Sequence, residues 1–284
     1  MAAPARLVPP RDPWHDAALL VGAAGLRAWG IEVRTRGVVH VPRSGPVVLA
    51  PTHVAYPDFV VLQKSVLPAG RRLRYLCRGE VWSSRVAGRA LDRMRHVPVD
   101  RSAPAAAYLA ARRLLEAGEA VGVFPEAGVS TAYVVRPLMR GAAALALETG
   151  APLLPVGIWG TQRLWPVAPA EDGSPGRPDR TRGRVVDVRI DAPLVPRPDD
   201  DATSLTIRLG RRLAALLADL QALPHHQPRP GEDARWHPAH LGGRAHTRAE
   251  VSAWERVPRA AVPVAWGPPP ETVGSPAGAL GRPD

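Results

Sequence analysis

Residues 46–66 read PVVLAPTHVAYPDFVVLQKSV. The first five, Pro46 to Ala50, are a short apolar run of the kind that forms a strand buried on both faces. Pro51 to Pro57 interrupt it with turn-forming residues. Pro57 to Val66 can then form a helix, since proline is tolerated in a first helical turn. A buried strand followed at once by a helix is half of an α/β unit, and its connecting loop is where such folds place chemistry. That loop holds His53 and Asp58, five residues apart.

The same alternation continues on both sides. Strand-like runs fall at 31–41, 73–77, 97–99, 120–124, 153–159 and 184–190, the first and last alternating apolar with polar residues. Helical patterns fall at 81–94, 104–117, 137–148 and 204–223. The last carries Leu205, Leu209, Leu213, Leu216, Leu220 and Leu223 at steps of three and four, with Asp201 and Thr203 as caps. Such alternation predicts an α/β fold, a mixed and mostly parallel sheet flanked by helices. Pro155, within the 153–159 run, predicts an edge, a strand start or a bulge there. Trp14 to Trp29 reads as a short amphipathic helix, with Leu19, Leu20, Leu26 and Trp29 available for one apolar side. It can pack on the domain or lie on a membrane surface.

Three segments follow from this: an N-terminal amphipathic helix over 1–30, a catalytic domain over 31–223, and a tail over 224–284. The tail has 11 prolines and no sustained period, and is expected to be a disordered extension whose removal from residue 230 leaves turnover largely intact. Its His225, His226, His237 and His240 lack cysteines or a matched second pair, so no metal site is expected.

Composition narrows the function. The chain has 284 residues, 45% hydrophobic and 22% charged, with a formal net charge of +11. Of its 37 basic residues only Lys64 is lysine, so no glycine-rich stretch holds the lysine of a P-loop. One cysteine, Cys77, excludes an internal disulfide framework. No apolar stretch reaches the ~20 residues of a membrane span, and no signal-peptide pattern opens the chain. No Gly-x-Ser-x-Gly elbow marks a serine hydrolase. Gly22 and Gly25 do not follow a strand, which argues against a dinucleotide fold. Aromatic residues are 5%, too few for a nucleic-acid stacking platform, so no nucleic-acid partner is expected.

Four blocks follow strands in order. They are His53-x4-Asp58; the strand 97–99 followed by Arg101; Phe124-Pro125-Glu126-Ala127-Gly128; and the strand containing Pro155-Val156. With Arg140-Gly141, this succession over about residues 26–165 resembles the glycerolipid acyltransferase family, including the 1-acylglycerol-3-phosphate acyltransferases. The resemblance implies that His53 is a general base drawing the proton from a glycerol hydroxyl and that Asp58 orients it. Arg101 would clamp the acceptor phosphate. Glu126 and Gly128 would shape the acceptor pocket, with Arg140 beside them, and Pro155 the acyl side.

It also implies acyl-CoA or acyl carrier protein as donor, with no resident cofactor. The implied acceptor is a lysophospholipid, above all 1-acylglycerol-3-phosphate giving phosphatidic acid. Another lysophospholipid, a lyso-glycolipid or a non-catalytic lipid-binding relative are the alternatives. The arginine-rich composition suits an anionic membrane surface, so a peripheral place on the cytoplasmic face of the plasma membrane is expected. The chain departs from the family pattern. Thr52 and Ala55 replace the usual Asn and Ser of the first block, and Ala127, Gly128 and Val129 replace the usual Gly, Thr and Arg of the third.

Overall fold

The computed structural model describes residues 12–100, 102–165, 167, 178, 181–252, 255 and 264–268. Seven strands form one sheet: β1 (Glu32–Arg36), β2 (Val47–Pro51), β3 (Leu73–Arg78), β4 (Val97–Val99), β5 (Ala120–Gly122), β6 (Leu153–Trp159) and β7 (Val185–Ile190). Their order is β1-β7-β6-β2-β5-β3-β4. Every pair is parallel except β6 with β7. Six longer helices cover the sheet: α1 (Pro13–Ala28), α2 (Asp58–Val66), α3 (Arg85–Arg93), α4 (Ala105–Glu116), α5 (Gly141–Thr149) and α6 (Ala202–Gln221).

The central strands are apolar because both their faces are covered. All five residues of β2 and all seven of β6 are buried. One core layer lies between the sheet and α4, α5 and α6, around Leu115, Leu138, Leu153 and the α6 leucines. The other lies between the sheet and α2, around Leu49, Leu62, Val156 and Val188. Gly157 lets α6 settle on β6, since a Cβ there would stand 3.0 Å from the Leu216 Cβ.

The expected strand 31–41 stops at Arg36. Gly37 turns the chain at φ 82°, and Val38–His40 form a single 3-10 turn instead. Pro155 is neither at an edge nor at a strand start. It lies buried inside β6, level with Ala50 of β2. The antiparallel pairing with β7 runs only from Val156 to Trp159, so the amide that Pro155 lacks falls where the β7 ladder has ended.

Helix α1 is held by polar groups as well as by part of its apolar side. His15 is buried, with its Nε2 3.1 Å from Gln63 Oε1 on α2 and its Nδ1 3.1 Å from Arg74 on β3. Leu26 packs inward, whereas Leu20 and Val21 face outward. The segment after α6 is not one uniform tail. Residues 224–252 fold back on the body, with His226 and His237 buried, and Trp266 covers Gly210 of α6. His226 reaches Asp187 on β7, and the Trp236 and His237 rings pack edge to face. Residues 269–284 lie outside the described residues.

Candidate active site

Strand β2 ends at Pro51, and Thr52 begins the loop. Thr52 is fully buried, and its hydroxyl accepts from the Ile158 N–H (2.9 Å) and reaches the Ile158 carbonyl (3.3 Å). In place of the family's Asn, it stitches the loop to β6. Asp58 opens α2 with its carboxylate wholly buried and turned back over that loop. Its Oδ2 accepts from the Val54 N–H (2.7 Å) and Ala55 N–H (3.0 Å) and lies 2.9 Å from His53 Nδ1. Its Oδ1 accepts from the Thr161 hydroxyl at 2.5 Å. The turn from Val54 to Pro57 thus closes the five-residue gap between the two side chains. With its proton on Nδ1 facing Asp58, the imidazole presents an unprotonated Nε2 on its other edge, the form a general base needs.

That ring lines a cavity of about 1000 Å³ at the C-terminal ends of β2, β5 and β3, walled further by α4 and α5. The wall is mainly apolar, including Phe59, Val99, Phe124, Met139 and Leu145. The Phe124 ring lies against the His53 ring, centroids 4.1 Å apart. Gly122 is required beside it, because a Cβ there would meet the Tyr75 ring at 2.6 Å. Cys77 also faces the cavity, but burial pushes its thiol up to about 11. A protonated thiol is a poor nucleophile at neutral pH.

Glu126 is buried beneath the site. It does not line the cavity. Its Oε1 accepts from the His53 N–H (2.8 Å) and its Oε2 from the Arg136 N–H (2.7 Å). Burial pushes its carboxyl up to about 8 against those two hydrogen bonds, which favour the charged form. Ala127 sits at φ 52°, the left-handed conformation usually left to glycine. Gly128 lines the cavity, and a Cβ there would stand 2.2 Å from the Arg136 guanidinium.

Of the remaining expected residues, Arg140 lines the cavity and Pro155 does not; Arg101 lies outside the described residues. Arg78, at the end of β3, also lines the cavity, its guanidinium 5.9 Å from the Tyr56 ring centroid. Sequence reading passed over it as one arginine among many; its place at a strand end was the available signal. Away from this site, His225 and His226 both reach one oxygen of Asp187 on β7, at 2.6 and 2.9 Å. The carboxylate from β7 is what the tail histidines lacked in sequence. The ligand atoms of these three side chains lie within 4.8 Å of one another, close enough to hold a metal ion.

Residues 32–159 match the family model described as acyltransferase. Over that stretch the chain is similar to the acyltransferase family. It is 33% identical over 122 residues to a 1-acyl-sn-glycerol-3-phosphate acyltransferase of Bacillus subtilis, a stretch covering 43% of this chain and 59% of that one. A chloroplastic protein of the same printed activity from Brassica napus is 27% identical over 135 residues, covering 46% of this chain and 38% of that one. The match therefore spans less than two thirds of either relative. The crystal structure of an acyltransferase from Thermotoga maritima, PlsC, superposes with a TM-score of 0.61 at 20% identity, covering 74% of this chain and 80% of that chain. That likeness shows a shared α/β fold.

Proposed function

We propose that this protein is an acyltransferase that moves a fatty acyl group from a thioester, acyl-CoA or acyl carrier protein, to the free hydroxyl of a lysophosphatidate, giving phosphatidate. The observation that carries the reading is the His53–Asp58 pair. One imidazole edge is fixed by a buried carboxylate at 2.9 Å, and the ring lines a large apolar cavity.

His53 Nε2 takes the proton from the acceptor hydroxyl as that oxygen attacks the thioester carbonyl. The C–O bond forms, the tetrahedral oxyanion collapses, the C–S bond breaks, and His53 returns the proton to the leaving thiolate. Asp58 stabilises the imidazolium between those two transfers. No acyl-enzyme is needed, because the thioester is already activated. The apolar cavity houses the acyl chain, and Arg78 and Arg140 along its wall pair with the acceptor phosphate. Exposed Leu20 and Val21 on α1, and Val86 beside Arg85 and Arg89 on α3, suit an anionic lipid surface. No helix among the described residues is long and apolar enough to cross a membrane.

Purified protein given acyl-CoA and lysophosphatidate should release free thiol and form phosphatidate. His53→Ala should lower the rate by about 10² to 10⁴. Thiol release that is indifferent to His53 refutes the assignment. A panel of lysophospholipids and lyso-glycolipids then names the acceptor, the preferred one being that with the highest kcat/KM.

A further inference from the structure

The backbone of His53 hangs from the loop between β5 and α5 at two points. Its N–H donates to Glu126, which also takes the Arg136 N–H, and its carbonyl accepts from the Ser130 N–H at 2.7 Å. That loop is gripped from outside by one carboxylate far along the chain. Glu255 Oε1 accepts from the Thr131 N–H (2.5 Å) and hydroxyl (2.6 Å). Its Oε2 pairs with Arg136 Nε (3.3 Å), and its carbonyl accepts from Arg136 Nη2 (3.0 Å). Thr131 adjoins Ser130, and Arg136 is the residue whose amide holds Glu126. Ser130 is thus the chain neighbour of one residue held by Glu255, and Glu126 is one hydrogen bond from the other.

A second contact fastens the same segment to the body. The Leu138 N–H donates to the Trp266 carbonyl (2.8 Å), the Ala265 N–H to the Leu138 carbonyl (3.0 Å), and the Trp266 ring fills the space a Cβ would need on Gly210.

We propose that Glu255 is a positioning residue for His53, acting through Thr131–Ser130 on one side and Arg136–Glu126 on the other. This rests on the acyl-transfer reading of the site. The Glu255 and Arg136 side chains are 11% and 7% exposed, so losing the carboxylate leaves a buried guanidinium without its counter-charge. Arg136 then relaxes toward solvent, drawing its own amide and Glu126 with it. The His53 ring shifts relative to Asp58.

The experiment compares wild type, Glu255→Gln and Glu255→Ala as full chains, well below their melting temperatures. Glu255→Ala should lower kcat roughly tenfold to a hundredfold, the cost of a misplacement on the order of an ångström. KM for the acyl thioester should change less than kcat, since Glu255 itself does not line the cavity. Glu255→Gln keeps an acceptor for Thr131 and should fall between the two. The acid limb of the kcat/KM profile should differ from that of wild type as the ring loses part of its contact with Asp58.

In ¹⁵N-histidine spectra, the His53 Nδ1–H signal, assigned by its loss in His53→Ala, should shift or exchange faster in both variants. Unchanged kcat, acid limb and Nδ1–H signal alongside a lowered melting temperature would overturn the proposal, leaving a merely structural clasp. If Glu255→Ala does not fold, Glu255→Gln carries the same measurements. A wild type that transfers no acyl group, but whose Nδ1–H signal still responds to Glu255, removes the acyl-transfer reading and leaves the positioning role standing.

Discussion

Asp58 carries four hydrogen-bond partners on two oxygens, and their placement decides what a substitution does. In Asp58→Asn the amide oxygen can keep the Val54 and Ala55 N–H groups, and the amide NH₂ can donate to the Thr161 hydroxyl. The loop should therefore hold its shape while the negative charge beside the imidazolium is lost. Turnover should drop about 10²-fold or more with little change in melting temperature; melting and thiol release on the same preparation check both halves. Ala127 is strained at φ 52°, where the family usually has glycine, so Ala127→Gly should stabilise the fold by about 1 kcal/mol, read by denaturant unfolding.

At this scale the His53–Asp58 pair was legible because five residues and a proline-bearing turn join them. The grip of Glu255 on Arg136 was not. The two stand 119 positions apart, and nothing in the local pattern of either points to the other.

All seven strands and the six longer helices stand where periodicity and turn residues put them, since each strand is an apolar or alternating run closed by proline, glycine or charge. The errors come from contacts made by other elements. Strand β1 ends early because Gly37 must turn against β7, a Cβ at Gly37 falling 1.8 Å from the Ile190 carbonyl oxygen. Gly37→Ala should accordingly destabilise by about 2 to 3 kcal/mol, through both the clash and the positive φ, as urea unfolding would record. Helix α1 packs through part of its apolar side, with Leu26 buried, Leu19 and Trp29 half-buried and Leu20 exposed, and the buried His15 adds a polar anchor that the pattern did not show.

Across the whole molecule, buried ionisable groups set how stability follows pH. Burial lowers His226 and His96 to about 4, below the ordinary histidine value. A lowered base binds fewer protons in the folded state, so its contribution is whole above about pH 6.5 and drains away as pH falls toward 4. Glu126 works the other way: raised to about 8, it weakens the fold as pH climbs from about 4.5 to 8. The melting temperature should peak near pH 6 to 7. Glu126→Gln should flatten the alkaline side, and His226→Gln the acid side, in melting curves across that range. Deletion of residues 230–284, which the composition of the tail makes look harmless, removes Glu255 and Trp266 together. It should cost most of the thiol-release activity and lower the melting temperature.

The clasp on the β5–α5 loop has a bearing on synthesis. Glu255 is made about 200 residues after His53. At roughly 5 to 20 residues per second, translation leaves an interval of about 10 to 40 s in which the His53 loop already exists but its distant fastening does not. A nascent chain that stops short of Glu255 should therefore hold His53 without that fastening, and its thiol release should stay low until the clasp closes.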